Sequence, residues 1–205
     1  MAQYFKIHPD NPQKRLVDRA AAILRQRGVI VYPTDSCYAL GCLLEDKESV
    51  QRIRRIRNLE EGHLFTIICR DLSGLGTLAK LDNSAFRFIK RYTPGPYTFI
   101  LKASSEVPKK LQNPKRRTIG LRVPDNRICQ ELLETLGEPM LSTSLILPGN
   151  KLPEADPENI ETELGKLIDL IVDGGVVGVD VTTVIDLSDG DPVIMREGKG
   201  KLGIH

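Results

Sequence analysis

The chain has 205 residues, with 29 lysines and arginines against 27 aspartates and glutamates, for a formal net charge of +2. That length fits one domain, the near-neutral balance argues against indiscriminate nucleic-acid binding, and no apolar run approaches the roughly 18 residues of a membrane span. No charged lead and long apolar core open the sequence, and Cys37, Cys42, Cys69 and Cys129 form no C-x-x-C. The expectation is a cytoplasmic protein with buried free thiols and no membrane partner.

Asn11 is placed to cap a first helix, with Pro12 in its first turn, and Leu16, Ala20, Ile23 and Leu24 recur at helical spacing. Gly28 would end it in the left-handed conformation. Val29-Ile30-Val31-Tyr32 is a continuous run of mostly β-branched residues, which predicts a strand buried on both faces. A helix from about Lys47 to Arg57 precedes a strand at Phe65–Cys69, and one from about Ser84 to Arg91 precedes a strand at Tyr97–Leu101. A strand over Thr118–Val123 ends at Pro124, a helix over Arg127–Leu136 stops at Gly137, and Met140–Ser144 reads as a strand. A helix near Ile160–Lys166 and strands at Leu167–Val172, Thr183–Leu187 and Val193–Arg196 complete the pattern. The glycine-rich tail after Gly198 is expected to fray. Helices and strands alternate, but not strictly. The prediction is an α/β fold, a mixed parallel and antiparallel sheet with flanking helices, forming one domain over residues 12–198.

The cationic residues cluster. Arg52, Arg54, Arg55 and Arg57 crowd one segment, Lys109, Lys110, Lys115, Arg116 and Arg117 another, and no acid falls between Val107 and Val123. Five strand ends carry hydroxyls, glycine or arginine: Thr34-Asp35-Ser36, Ser142-Thr143-Ser144, Arg122-Val123-Pro124, Thr182-Thr183 and Arg196-Glu197-Gly198. Ligands of open α/β sheets sit outside strand ends, where hydroxyls and amides bind phosphate oxygens and arginine clamps them. A single such residue is ordinarily a turn or cap; five with two basic clusters point to a polyanion site. There is no G-x-x-x-x-G-K-[ST] and no G-x-G-x-x-G. His63 falls in a loop, where it either faces solvent or meets a ligand.

The order of motifs resembles the YrdC/YciO family over residues of about 12–198. The resemblance is carried by Val29-Ile30-Val31-Tyr32-Pro33-Thr34-Asp35-Ser36, the Arg-rich helix, Thr93-Pro94-Gly95-Pro96-Tyr97-Thr98, Leu121-Arg122-Val123-Pro124, Leu141-Ser142-Thr143-Ser144, Thr183-Val184-Ile185-Asp186 and Arg196-Glu197-Gly198. Ile7-His8-Pro9-Asp10-Asn11-Pro12 and Arg57-Asn58-Leu59 are similar to the YciO branch. The resemblance implies a twisted sheet with a concave, basic surface, and a reaction of the L-threonylcarbamoyladenylate synthase type. In that reaction L-threonine, bicarbonate and ATP, with Mg²⁺, give threonylcarbamoyl-AMP and pyrophosphate, and the product supplies a modified adenosine of tRNA. It implies Thr34 in a threonine pocket, Ser142 and Ser144 toward the nucleotide phosphates, Arg122, Thr183 and Arg196 around the nucleotide, and Arg57 with Ser144 as the reacting pair. The synthases carry K-x-R and S-x-N; here these read Arg57-Asn58-Leu59 and Ser144-Leu145-Ile146, so two polar positions are aliphatic. Losing one charge-assisted and one neutral hydrogen bond from the transition state costs roughly 2.5–4 kcal/mol, or about 10²–10³ in rate. The other partner the resemblance admits is RNA, tRNA or double-stranded, held on the same concave surface without catalysis. Arg54, Arg55, Lys115, Arg116 and Arg117 would then meet its phosphates.

Overall fold

The computed structural model describes residues 1–60 and 63–203. Among the described residues ten strands form one mixed sheet in the order β1-β8-β2-β3-β7-β4-β6-β5-β9-β10. They are β1 (Gln3–Lys6), β2 (Ile30–Tyr32), β3 (Ala39–Leu43), β4 (Thr66–Ile68), β5 (Tyr97–Lys102), β6 (Thr118–Arg122), β7 (Met140–Ser144), β8 (Leu170–Asp173), β9 (Thr183–Asp186) and β10 (Val193–Arg196). The α-helices that flank it among the described residues are α1 (Lys14–Arg25), α2 (Lys47–Arg57), α3 (Leu72–Leu78), α4 (Asn83–Tyr92), α5 (Arg127–Leu136) and α6 (Pro157–Leu164).

Strand alternation sorts side chains onto two faces. Val31, Leu40, Cys42, Ile67, Phe99, Leu121, Leu141, Ile171 and Ile185 point to one face and form the larger core with Ile53 and Ile56 of α2, Leu75 of α3, Ile89 of α4 and Ile160 of α6. Phe5, Ile30, Tyr32, Ala39, Ile68, Met140, Leu170 and Val172 point to the other, where Val17, Ala21 and Leu24 of α1 and Ile128, Leu132 and Leu136 of α5 cover them. The helices α1 and α5 stop short of β6, β5 and β9. The uncovered stretch of this second face holds the candidate site.

Local chemistry accounts for most boundaries. Asp46 caps α2 by accepting from Glu48 N and Ser49 N, Asn58 ends it at φ 50°, and Gly137 ends α5 at φ 77°. The start of α1 departs from expectation. Its cap is Gln13, with no side-chain hydrogen bond, and not Asn11. At its other end Arg27 takes the positive φ of 64°. Gly28 is needed there for space: a Cβ would lie 2.5 Å from Ile23 Cγ2.

Three further elements were not expected. β1 pairs with β8 at the sheet edge, β3 contains Ala39 and Gly41, and α3 contains Gly74 and Gly76. Gly41 is required by close approach, since a Cβ would meet Tyr32 and Met140 at 2.7 and 2.8 Å. The last helix ends at Leu164 rather than Lys166, and β8 begins at Leu170 rather than Leu167. Residues 199–201 are docked rather than frayed: Lys199 N donates to Val181 O, and Tyr97 Oη donates to Lys201 O at 2.8 Å; the last two residues of the tail lie outside the described residues. Among the described residues no helix is long and apolar enough to cross a membrane.

Candidate functional site

A cavity of about 290 Å³ occupies the uncovered stretch of the second face, near the lower end of small-molecule pockets, roughly 300–1,000 Å³. Its floor is built by strand parity. Thr66 of β4, Thr118, Gly120 and Arg122 of β6, Thr98 and Ile100 of β5, Ser142 and Ser144 of β7 and Val184 of β9 all line it. Their neighbours Ile67, Leu121, Phe99 and Leu141 are buried in the larger core, and Ile119, also in that core, touches the cavity. Register fixes the adjacency: Thr66 lies opposite both Ser142 and Gly120, and Ala39 lies opposite Ser144. At Gly120 a Cβ would come within 3.4 Å of Thr98 and Thr66, so a side chain there would fill the floor.

Arg122 is the buried cation of the site, 7% exposed. It pairs with the Asp35 carboxylate and approaches Thr34 Oγ1 at 3.5 Å. Arg57 reaches across from the end of α2 and donates through Nη1 to the Ile146 carbonyl. Among the described residues, buried polar atoms without a hydrogen-bond partner are Arg57 Nε, Arg122 Nε and Asp35 Oδ2. Burial lowers the pKa of Arg57 and of Arg196, and both guanidinium groups stay charged at neutral pH. Arg196 is anchored by donating to Thr182 O at 2.9 Å.

The other expected residues are placed unequally. Thr34 lines the cavity, but its hydroxyl is engaged within its own turn: it donates to Cys37 O at 2.6 Å and accepts from Ser36 N and Cys37 N at 3.2 Å. Ser142 shares a 2.5 Å hydrogen bond with the buried Tyr32 hydroxyl. Thr183 faces away. Its hydroxyl donates to Gly200 O at 2.7 Å and accepts from Gly198 N, which fastens the C-terminal segment. Thr182, one residue earlier, lines the cavity in its place and shares a 2.9 Å hydrogen bond with Thr98. A one-residue step in a strand reverses the face.

The basic residues expected to meet phosphate also divide. Arg116 lines the cavity but is held by Asp186 and Asp189, each at 2.7 Å. Burial alone would raise the Asp186 carboxyl; hydrogen bonds from Ser188 and Arg116 outweigh it and hold it below the usual range. Arg54 donates to Glu60 O and His63 O and lies over the Phe65 ring. Arg55, Lys115 and Arg117 are exposed outside the lining.

His63 and Cys37 line the cavity as well. The His63 ring stands edge-on to Phe65 at 5.6 Å. Burial, then Arg57 and Arg54, hold its pKa below the ordinary 6.5. Burial pushes the thiols of Cys42, Cys69 and Cys129 up to about 12, and all four cysteines are free. Thr66, Thr98, Thr118 and Gly120 were not expected here. The polar and apolar alternation of Thr118-Ile119-Gly120-Leu121-Arg122 was the signal that marked them.

Among the described residues no carboxylate lines the cavity and no group of three His, Cys, Asp or Glu could hold a metal. A site for a divalent ion takes mainly carboxylate and carbonyl oxygens, so this donor set does not fit a protein-held cation.

A family model described as telomere recombination, that of the Sua5/YciO/YrdC proteins, matches residues 22–198. The YciO protein of Escherichia coli K12 is 60% identical over 98% of this chain and 97% of its own. The crystal structure of E. coli YciO superposes with a TM-score of 0.95 over 99% of this chain and 98% of that one. The threonylcarbamoyl-AMP synthase of Pyrococcus abyssi is 31% identical over 87% of this chain. The structure of P. abyssi Sua5 complexed with L-threonine matches with a TM-score of 0.86 at 27% identity, over 95% of this chain and 57% of that one. This chain thus spans about half of that synthase's length. With a family match across residues 22–198 and 60% identity to a relative over nearly its whole length, the chain belongs to the Sua5/YciO/YrdC family.

Proposed function

We propose that the cavity binds ATP together with L-threonine and that the protein forms threonylcarbamoyl-AMP from them and bicarbonate, slowly, in the service of tRNA modification. The observation that carries this reading is that Arg57, Arg122 and Arg196 line a cavity that no carboxylate of the described residues lines. Guanidinium groups beside a hydroxyl-lined space that no described carboxylate lines suit an anionic ligand. In the step itself a carbamate oxygen attacks the α-phosphorus and pyrophosphate leaves. Charge builds on phosphoryl oxygens, where Arg57, Arg122 and Arg196 would stabilise it. Magnesium would reach this cavity on the ATP phosphates themselves. The aliphatic Ile146 in the lining and Leu59 packed on the larger core supply no polar group to the reaction, which supports slow turnover rather than a different binding site.

The test is to incubate the protein with L-threonine, bicarbonate, Mg²⁺ and radiolabelled ATP, beside an active threonylcarbamoyl-AMP synthase. Threonylcarbamoyl-AMP and pyrophosphate at a reduced rate are expected. No product beside a working control would remove the enzymatic reading.

A second reading, RNA binding without catalysis, has its support in the exposed Lys109, Lys110, Lys115 and Arg117. It requires an RNA affinity that falls steeply with salt.

A further inference from the structure

The reaction proposed above has a proton to dispose of. Threonine carries an α-ammonium at neutral pH, and its nitrogen has no lone pair until that proton leaves. The side chains lining the cavity include few groups able to take it. Arg57, Arg116, Arg122 and Arg196 are donors only. The lining hydroxyls are far too weakly basic, and the Cys37 thiol accepts no proton before it has lost its own. Among the described residues the lining contains no aspartate or glutamate. One side chain remains.

We propose that His63 is the general base that takes the proton from the α-ammonium of the amino-acid substrate. This role rests on the synthase reading and adds to it the catalytic group that the aligned motifs do not contain. His63 is half-buried on the cavity wall, and its backbone is fixed on both sides: its N–H donates to Glu60 O at 3.0 Å and its carbonyl accepts from Arg54 at 3.1 Å. Phe65 packs edge-on against the ring. Burial first, then the cations Arg57 and Arg54 of α2, lower its pKa and favour the neutral imidazole, the form that accepts a proton. Once protonated, the imidazolium is repelled by the same two arginines and passes its proton to solvent at the cavity mouth. The sequence balances. The ammonium gives H⁺ to His63; the amine and bicarbonate give a carbamate and water; the carbamate oxygen displaces pyrophosphate from ATP.

His63→Gln and His63→Ala test this. ATP binding should stay within about threefold of wild type in both, while kcat/KM for pyrophosphate release falls at least about 100-fold. The acid limb of the wild-type pH profile should disappear in His63→Gln. Free imidazole should restore activity to His63→Ala, which a structural role would not allow. A smaller loss, an acid limb that persists, or failure of imidazole to rescue would overturn the base role while the synthase reading stands. A wild-type protein that makes no product would overturn both.

Discussion

Arg57 donates a hydrogen bond to the main-chain carbonyl of Ile146. The two segments that differ from the synthase pattern therefore touch, and the contact uses a carbonyl that any residue at position 146 would supply. Ile146 faces the cavity, whereas Leu59 packs against the larger core. The two reversions are thus unequal. Ile146→Asn adds a polar group to the cavity, and we expect synthase turnover to rise about fivefold, the worth of roughly 1 kcal/mol, with the urea midpoint unchanged. Leu59→Arg should instead lower stability by about 1–2 kcal/mol, seen as an earlier urea midpoint.

Removing Arg122 strands the Asp35 carboxylate, whose side chain is 11% exposed. Breaking a buried pair from one side costs about 3–5 kcal/mol. Arg122→Ala should approach that loss, and Arg122→Ala with Asp35→Asn should recover part of it. Denaturant unfolding of the four proteins of the cycle measures the coupling, which independent sites would not show.

Thr182 and Thr183 should separate by phenotype. Thr183→Val cuts the hydroxyl contacts to Gly198 and Gly200, so amides of residues 197–203 should exchange faster while ATP affinity holds. Thr182→Val should weaken ATP binding and leave that exchange unchanged.

The pH dependence of stability has a definite sign at Asp186. Its folded pKa is depressed, so its contribution is fully present above the ordinary aspartate value near 3.9 and is lost as pH falls toward the folded value. Asp186→Asn should therefore cost stability at pH 7 and little at pH 2, as read by thermal unfolding at the two pH values.

His63 titrates from the other side. Its imidazole resonances should show a midpoint below 6.5 in the free protein, and ATP should move the midpoint up, because phosphate charge offsets Arg57 and Arg54.

Much of this was legible in the sequence, for reasons that differ by element. α2 was legible from its place in the alternation of helices and strands, and Arg57 at its end from the motif that the family resemblance aligned there. β2 was plain because three β-branched or aromatic residues, all buried, leave no other reading. β3 was hidden because Ala39 and Gly41 are poor strand formers whose small size serves the close approach of Tyr32. α3 was hidden by Gly74 and Gly76, and stands on the Asp71 cap and the burial of Leu75 and Leu78. The motifs brought Thr34, Arg57, Arg122, Ser142, Ser144 and Arg196 to one cavity. They missed the parity at Thr183, since a strand of four residues does not reveal which of two adjacent threonines faces in.

The odd-and-even division of the central strands has a consequence for how this protein could change. Along Thr118-Ile119-Gly120-Leu121-Arg122, Thr118, Gly120 and Arg122 line the cavity, Leu121 belongs to the core, and Ile119 belongs to the core while touching the cavity. Substrate preference can drift through the lining residues while the core residues go on specifying the same fold. A family built this way can diversify its chemistry in place, one residue in two, without having to invent a new scaffold.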